Sequence, residues 1–293
     1  MKVNKIASEI LRGEWFFQPE AIKAYAPIAY NFIYGNNKQL RIDDARPEAI
    51  FTAYTSNGAP IRPNENGQLD IPKGSIAVVD SIGVLVKYGD WCTYGALDIV
   101  DALKFADAHP NIIGTVLNVD GPGGSVAAVG PFVEFGKNKT KPVVALCDCA
   151  ASAHLYTTLA VADHVMADNN ISAMIGSIGV VITWMDNSKY LENLGIKEHV
   201  IYADESEDKG KAYYEALKGN YEIVKKDMLS PAAVQFQNFV KLKRPNLIVD
   251  HPGLMTGKTF GADESVEIGL IDGIGSLEEA KQMVSILSEI KRK

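Results

Sequence analysis

The chain has 293 residues, enough for one large domain or a domain with an extension, and its 47% hydrophobic content suffices for a sizeable core. Lys and Arg number 29 against 36 Asp and Glu, a net charge of -7 that argues against a surface built to coat nucleic acid, since phosphate binding needs clustered cations. Its three cysteines, Cys92, Cys147 and Cys149, form no disulfide framework, which points to a reducing compartment.

At the N-terminus, "MKVNKIASEILRGEWFFQPE" begins basic, but Glu9, Arg12 and Glu14 interrupt any apolar run, so no signal peptide is expected. Residues 1–40 carry many aromatics, broken by Pro19 and Pro27 into short helices, and read as an arm that packs on the body or on a neighbouring subunit. Residues 55–74, "TSNGAPIRPNENGQLDIPKG", read as a linker. The expected division is an arm and linker over 1–74, a main domain over 75–285 and a tail over 286–293.

From Ser75 the texture changes. Apolar runs "SIAVVDSIGVLV", "IIGTVLNVD" and "PVVALCD" alternate with the helical patterns "GALDIVDALKFADAHP", "GSVAAVGPFVEFG" and "ASAHLYTTLAVAD". Such alternation predicts right-handed βαβ units, hence an α/β fold with much parallel sheet, whose ligands gather at the carboxyl ends of strands. Cys147 and Cys149, two apart on a strand, fit packing better than metal ligation. The longest apolar stretch, residues 174–185, falls short of the roughly 20 residues of a membrane span. A helix over 229–246 ends at Pro245, and a terminal amphipathic helix over 276–293 opens on a capping box, Ser276 with Glu279.

Two strand ends are candidates for chemistry. In "DGPGGS" (120–125), consecutive glycines leave N–H groups free to hold an anion or a transient oxyanion, though a tight structural turn explains them equally well. In "CAASA" (149–153), Ser152 fits a helix N-cap or, given its small neighbours, a nucleophile open to a carbonyl. A serine nucleophile needs a base. His154, two residues on along one helix, diverges from Ser152, whereas Lys209 and Lys211 stand in a polar loop as candidates or as plain solvated charges.

Taken together, "LNVDGPGGSV", "KPVVALCDCAASA", "VADHVMA", "GSIGVV" and "TGKTFGADESVEIGLIDGIGSLEEA" resemble, in order, successive blocks of the serine peptidase family of signal peptide peptidase A and phage head-maturation proteases. The resemblance implies a Clp/crotonase-like fold, with Ser152 as nucleophile and a lysine from a later segment as base, often from a neighbouring subunit. Ser206-Glu207-Asp208-Lys209 matches the pattern before that lysine and favours Lys209 over Lys211. By the same carry-over Ser177 positions the lysine, and Gly123, Gly124 and Ala153 form the oxyanion hole; His154, a departure where relatives have a small residue, reads as lining the substrate cleft or as a surface or interface histidine. No metal or organic cofactor is implied.

The leader "ILRGEWFFQPEAIKAYAPIA" resembles that of phage and prophage capsid peptidases, and no membrane anchor of the signal-peptidase type is seen. The resemblance thus implies a cytoplasmic capsid maturation protease that acts on capsid or scaffold protein and assembles as a homo-oligomer with shared sites. Three rivals remain. One is signal-peptide degradation. Another is a crotonase-type acyl-CoA enzyme, for which no matching glutamates stand near either loop, and the third is a silent structural member. A Clp-type histidine base has no counterpart at Met174-Ile175-Gly176-Ser177.

Overall fold

Strand and helix alternate along the chain as the periodicities demand, and the computed structural model describes residues 15–17, 50–89, 93–183 and 186–292. In order these form β1 (Trp15–Phe17), β2 (Phe51–Tyr54), β3 (Pro60–Ile61), β4 (Ser75–Ile82), α1 (Ala96–Ala108), β5 (Ile112–Gly121), β6 (Gly123–Ser125), α2 (Val129–Asn138), β7 (Val143–Ala151) and α3 (Ala153–Val161). There follow β8 (His164–Ala167), β9 (Met174–Gly176), α4 (Ser188–Asn193), α5 (Lys211–Leu217), α6 (Ser230–Lys243), β10 (Thr259–Phe260), α7 (Ala262–Glu267), β11 (Gly273–Ile274) and α8 (Leu277–Arg292).

The main sheet runs β10-β9-β7-β5-β4-β2-β3, with β8 and β11 continuing from β7. β4, β5, β7, β8 and β9 are parallel, as βαβ crossovers require, and antiparallel β2, β3 and β10 close its margins. β7 forks: residues 144–147 pair with β8, and residues 149–151 pair with β9.

Alternating residues serve two cores. Val79, Leu117, Ala145 and Cys147 face α1, α2 and α3 through Leu103, Phe132 and Leu155, while Val78, Val116, Val144 and Leu146 face Ala280 and Val284 of α8. Every residue of α3 is buried, the polar His154, Thr157 and Thr158 included, with the helix enclosed between the sheet and α6 and Tyr156 stacked on Phe239 at 4.2 Å between ring centroids. Asp163, just past α3, accepts the Val143 N–H at 2.8 Å and pairs with Lys139 and Lys291, which ties the end of α3 to β7, α2 and α8.

The α/β class and the order of the central elements follow the sequence pattern, but the expected boundaries do not. β2 pairs with β4 and β3 with β2, so residues assigned to arm and linker supply sheet strands; "FTAY" is too short a run to announce itself by periodicity. At the other end α8 continues unbroken through the expected tail, where Ser288 is buried and donates to Ser285 O at 2.8 Å. The capping box at its start is formed, with Glu279 N–H donating to Ser276 Oγ at 3.3 Å and Ser276 N–H to Glu279 Oε2 at 2.7 Å. Apart from Trp15–Phe17, which is a strand, the short helices expected over residues 1–40 lie outside the described residues, as does Cys92.

Candidate active site

The end of β7 is re-aimed by a bulge. Val119 pairs with Cys147 but Asp120 pairs with Cys149, so the alternation slips by one and Ala150, not Cys149, joins the helix-side core. The chain then turns through Ser152 at φ 57° and ψ -114°, a conformation that costs a non-glycine residue about 1–3 kcal/mol. Two backbone bonds hold it: the Ser152 N–H donates to Gly176 O at 2.8 Å, and its carbonyl accepts the Tyr156 N–H at 3.0 Å.

Ser152 Oγ caps nothing. It is fully buried and has no hydrogen-bond partner among the described residues, so the N-cap reading does not describe it. Strained backbone and an unsatisfied buried hydroxyl at one residue are costs that a purely structural serine would have no reason to carry.

The glycine loop lies beside this joint. β6 is anchored on one edge by Leu85, whose N–H donates to Gly123 O at 2.9 Å and whose carbonyl accepts the Ser125 N–H at 2.8 Å. Since Gly123 and Ser125 use that edge, the N–H and C=O of Gly124 point to the other. Glycine is required here by contact, because a Cβ at 124 would stand 1.9 Å from Leu85 O. Gly124→Ala is therefore expected to pry β6 from Leu85 and cost about 1–3 kcal/mol, with peptide turnover lost alongside, as thermal unfolding and a peptide assay would read.

Gly123 departs from its expected role. Its N–H donates to His154 Nδ1 at 3.2 Å and so is not offered to a developing oxyanion. Two other N–H groups stand at this joint: that of Gly124, whose outward edge β1 occupies in this structure, and that of Ala153, the first residue of α3, which has no partner within its own helix and sits at the positive end of the helix dipole.

His154 does not line an open cleft: it is 0% exposed, tucked beneath Gly121, where a Cβ would come within 2.2 Å of its ring. Burial pushes its pKa down to about 4 from 6.5, so it stays neutral and keeps the lone pair that accepts the Gly123 N–H. Because the folded value is depressed, the unfolded chain binds the extra proton, and stability is lost as pH falls from about 6.5 to about 4. At pH 4.5 this amounts to about 2–3 kcal/mol, and His154→Gln, which can accept without titrating, is expected to remove that part of the loss in denaturant titrations at pH 7 and 4.5.

Ser177 follows Gly176, the residue whose carbonyl holds Ser152, and is itself strained at φ 56° with its N–H on Lys258 O at 2.9 Å. The carboxyl ends of β5, β7 and β9 thus bring Gly124, Ser152, Ala153 and Ser177 together, as parallel sheets do with their sites.

Lys209 is not brought there. It lies exposed between a short 3-10 turn (Asp204–Ser206) and α5, and Ser152 Oγ receives no hydrogen bond from it. Lys211 is paired with Asp208 at 3.0 Å, and that carboxylate raises its pKa, the wrong direction for a base. Nor does any described histidine hydrogen-bond Ser152 Oγ; His164 lies 3.8 Å from Asp272 and His251 2.9 Å from Glu264.

Sequence reasoning missed the Leu85 anchor and the inward turn of Gly123. The glycine at 121, which leaves space for an imidazole ring, was the available signal for the second.

Residues 136–291, more than half of the chain, match the family model of Peptidase family S49. The protein MJ0651 of Methanocaldococcus jannaschii is 26% identical over 196 residues, which span 66% of this chain and 61% of that protein. The head-tail preconnector protein GP5 of Enterobacteria phage P21 is 26% identical over 221 residues, 73% of this chain and 42% of that one. Among solved structures, the 1510-N membrane-bound stomatin-specific protease in complex with a substrate peptide is similar at 14% identity and a TM-score of 0.43, over 72% of this chain and 79% of that one. The match over residues 136–291, which takes in the strained strand-to-helix joint at Ser152, leads to one conclusion: this chain belongs to peptidase family S49.

Proposed function

We propose that the chain is an endopeptidase with a Ser152/Lys209 dyad, assembled between copies, that processes capsid or scaffold protein in a phage or prophage. The observation that carries the nucleophile is Ser152 itself, strained and with a buried hydroxyl that has no partner among the described residues. Neutral Lys209 removes the Ser152 hydroxyl proton as Oγ bonds to the peptide carbonyl carbon, and Gly124 and Ala153 N–H groups hold the oxyanion. The C–N bond then breaks, with the lysine proton passing to the leaving amine, and water releases the acyl group by the same route.

A base on a neighbouring copy fits the surface that bears Lys209. Tyr190, Leu194, Ile196, Ile201, Tyr213 and Tyr221 are exposed along the same segment, α4 buries no residue and α5 buries only Ala216. Such an apolar stretch suits contact with another chain. Ser177 would orient the arriving ammonium, since it stands beside the Gly176 anchor of Ser152.

The capsid setting is supported by the similarity to a phage protein named for head-tail connection. Its test is co-expression with a phage capsid or scaffold protein. Processing by the wild-type chain, together with labelling of Ser152 by a fluorophosphonate, is expected; labelling without processing would keep the peptidase and remove the capsid assignment.

A further inference from the structure

β6 has two edges, and both are taken. Leu85 holds one. On the other lies β1, antiparallel, with Trp15 opposite Ser125, Phe16 opposite Gly124 and Phe17 opposite Gly123. The backbone groups of Gly124 that point outward are therefore met by residue 16 of the same chain.

A peptide presented to Ser152 for cleavage needs an extended backbone laid along a strand edge beside the oxyanion donor, the β-augmentation mode of recognition. The outer edge of β6 is such an edge, and β1 already occupies it with its backbone close to α3, the helix that starts next to the nucleophile. Ser152 is 0% exposed in this arrangement. We propose that Trp15–Phe17 is an intramolecular occupant of the substrate strand's place, so that the chain masks its own active site and its ligands are peptides that bind extended along the same edge. This rests on the assignment of Ser152 and Gly124 above. An occupant tethered in the same chain acts at an effective concentration in the millimolar range, so external peptides must displace it.

The test uses the full-length chain and its Phe16→Pro variant, because proline has no N–H to give Gly124 and is disfavoured in a paired strand. Fluorophosphonate labelling of Ser152 is expected to be at least about fivefold faster in the variant, and a synthetic peptide of residues 12–20 at millimolar concentration is expected to slow it again. A triple alanine variant at 15, 16 and 17 guards against local damage from proline, with the same direction expected. Equal labelling rates in all three chains, or no effect of the peptide, would overturn the masking proposal while leaving the peptidase assignment intact. Absence of labelling at Ser152 in every chain would overturn both.

Discussion

Alanine in place of Ser152 is expected to lower peptide turnover by roughly 10⁴-fold or more, the scale on which loss of a nucleophile acts in serine peptidases. The same change is expected to leave the fold as stable or slightly more so. The hydroxyl it removes is buried without a partner, and replacing an unsatisfied polar group by an apolar one of similar shape is neutral to favourable by up to about 1 kcal/mol. The strain at φ 57° persists in alanine, so nothing is gained on that account. Ser152→Gly separates the two costs: it frees the backbone as well and is expected to be the most stable of the three chains, though equally inactive. Thermal unfolding and a peptide assay on these chains decide the matter. A fall in unfolding temperature for Ser152→Ala would mean that the hydroxyl holds structure, retained turnover would remove Ser152 as the nucleophile, and no turnover by the wild-type chain itself would return it to the silent-scaffold reading.

Much of this site was legible because its chemistry depends on local pattern. Apolar runs that alternate with helical periods place Ser152 and "DGPGGS" at strand ends, and parallel sheets put catalytic groups there. What stayed hidden depends on contacts distant in sequence. Gly123 turns inward only because the His154 ring is packed beneath Gly121, and a glycine pair read along the chain does not say which N–H is free. The β7 bulge likewise shows itself in the pairing with β5, not in "VVALCDCAA". Sheet membership of Phe51–Tyr54 is set by its partner β4, and the strand Trp15–Phe17 by its partner β6. Short segments such as these have no periodicity long enough to outweigh the Pro and Gly around them.

Among the described residues no base bonds Ser152 Oγ within its own chain, and that leads to the second large expected effect. Lys209→Ala is expected to be as nearly inactive as Ser152→Ala, with unchanged thermal unfolding because Lys209 is exposed within its own chain. If each site takes its serine from one copy and its lysine from a neighbour, co-refolding equal amounts of the two inactive chains makes about a quarter of the sites complete, since each of the two requirements is met half the time in a closed symmetric assembly. Turnover near a quarter of wild type is then the expected result. A dyad built within one chain gives no recovery at any mixing ratio, because every serine would travel with its own altered lysine or the reverse. Lys211→Ala in the same assay is the control: its ammonium is held by Asp208, so its loss is expected to leave turnover within about twofold, as for other exposed ion pairs of small energetic weight.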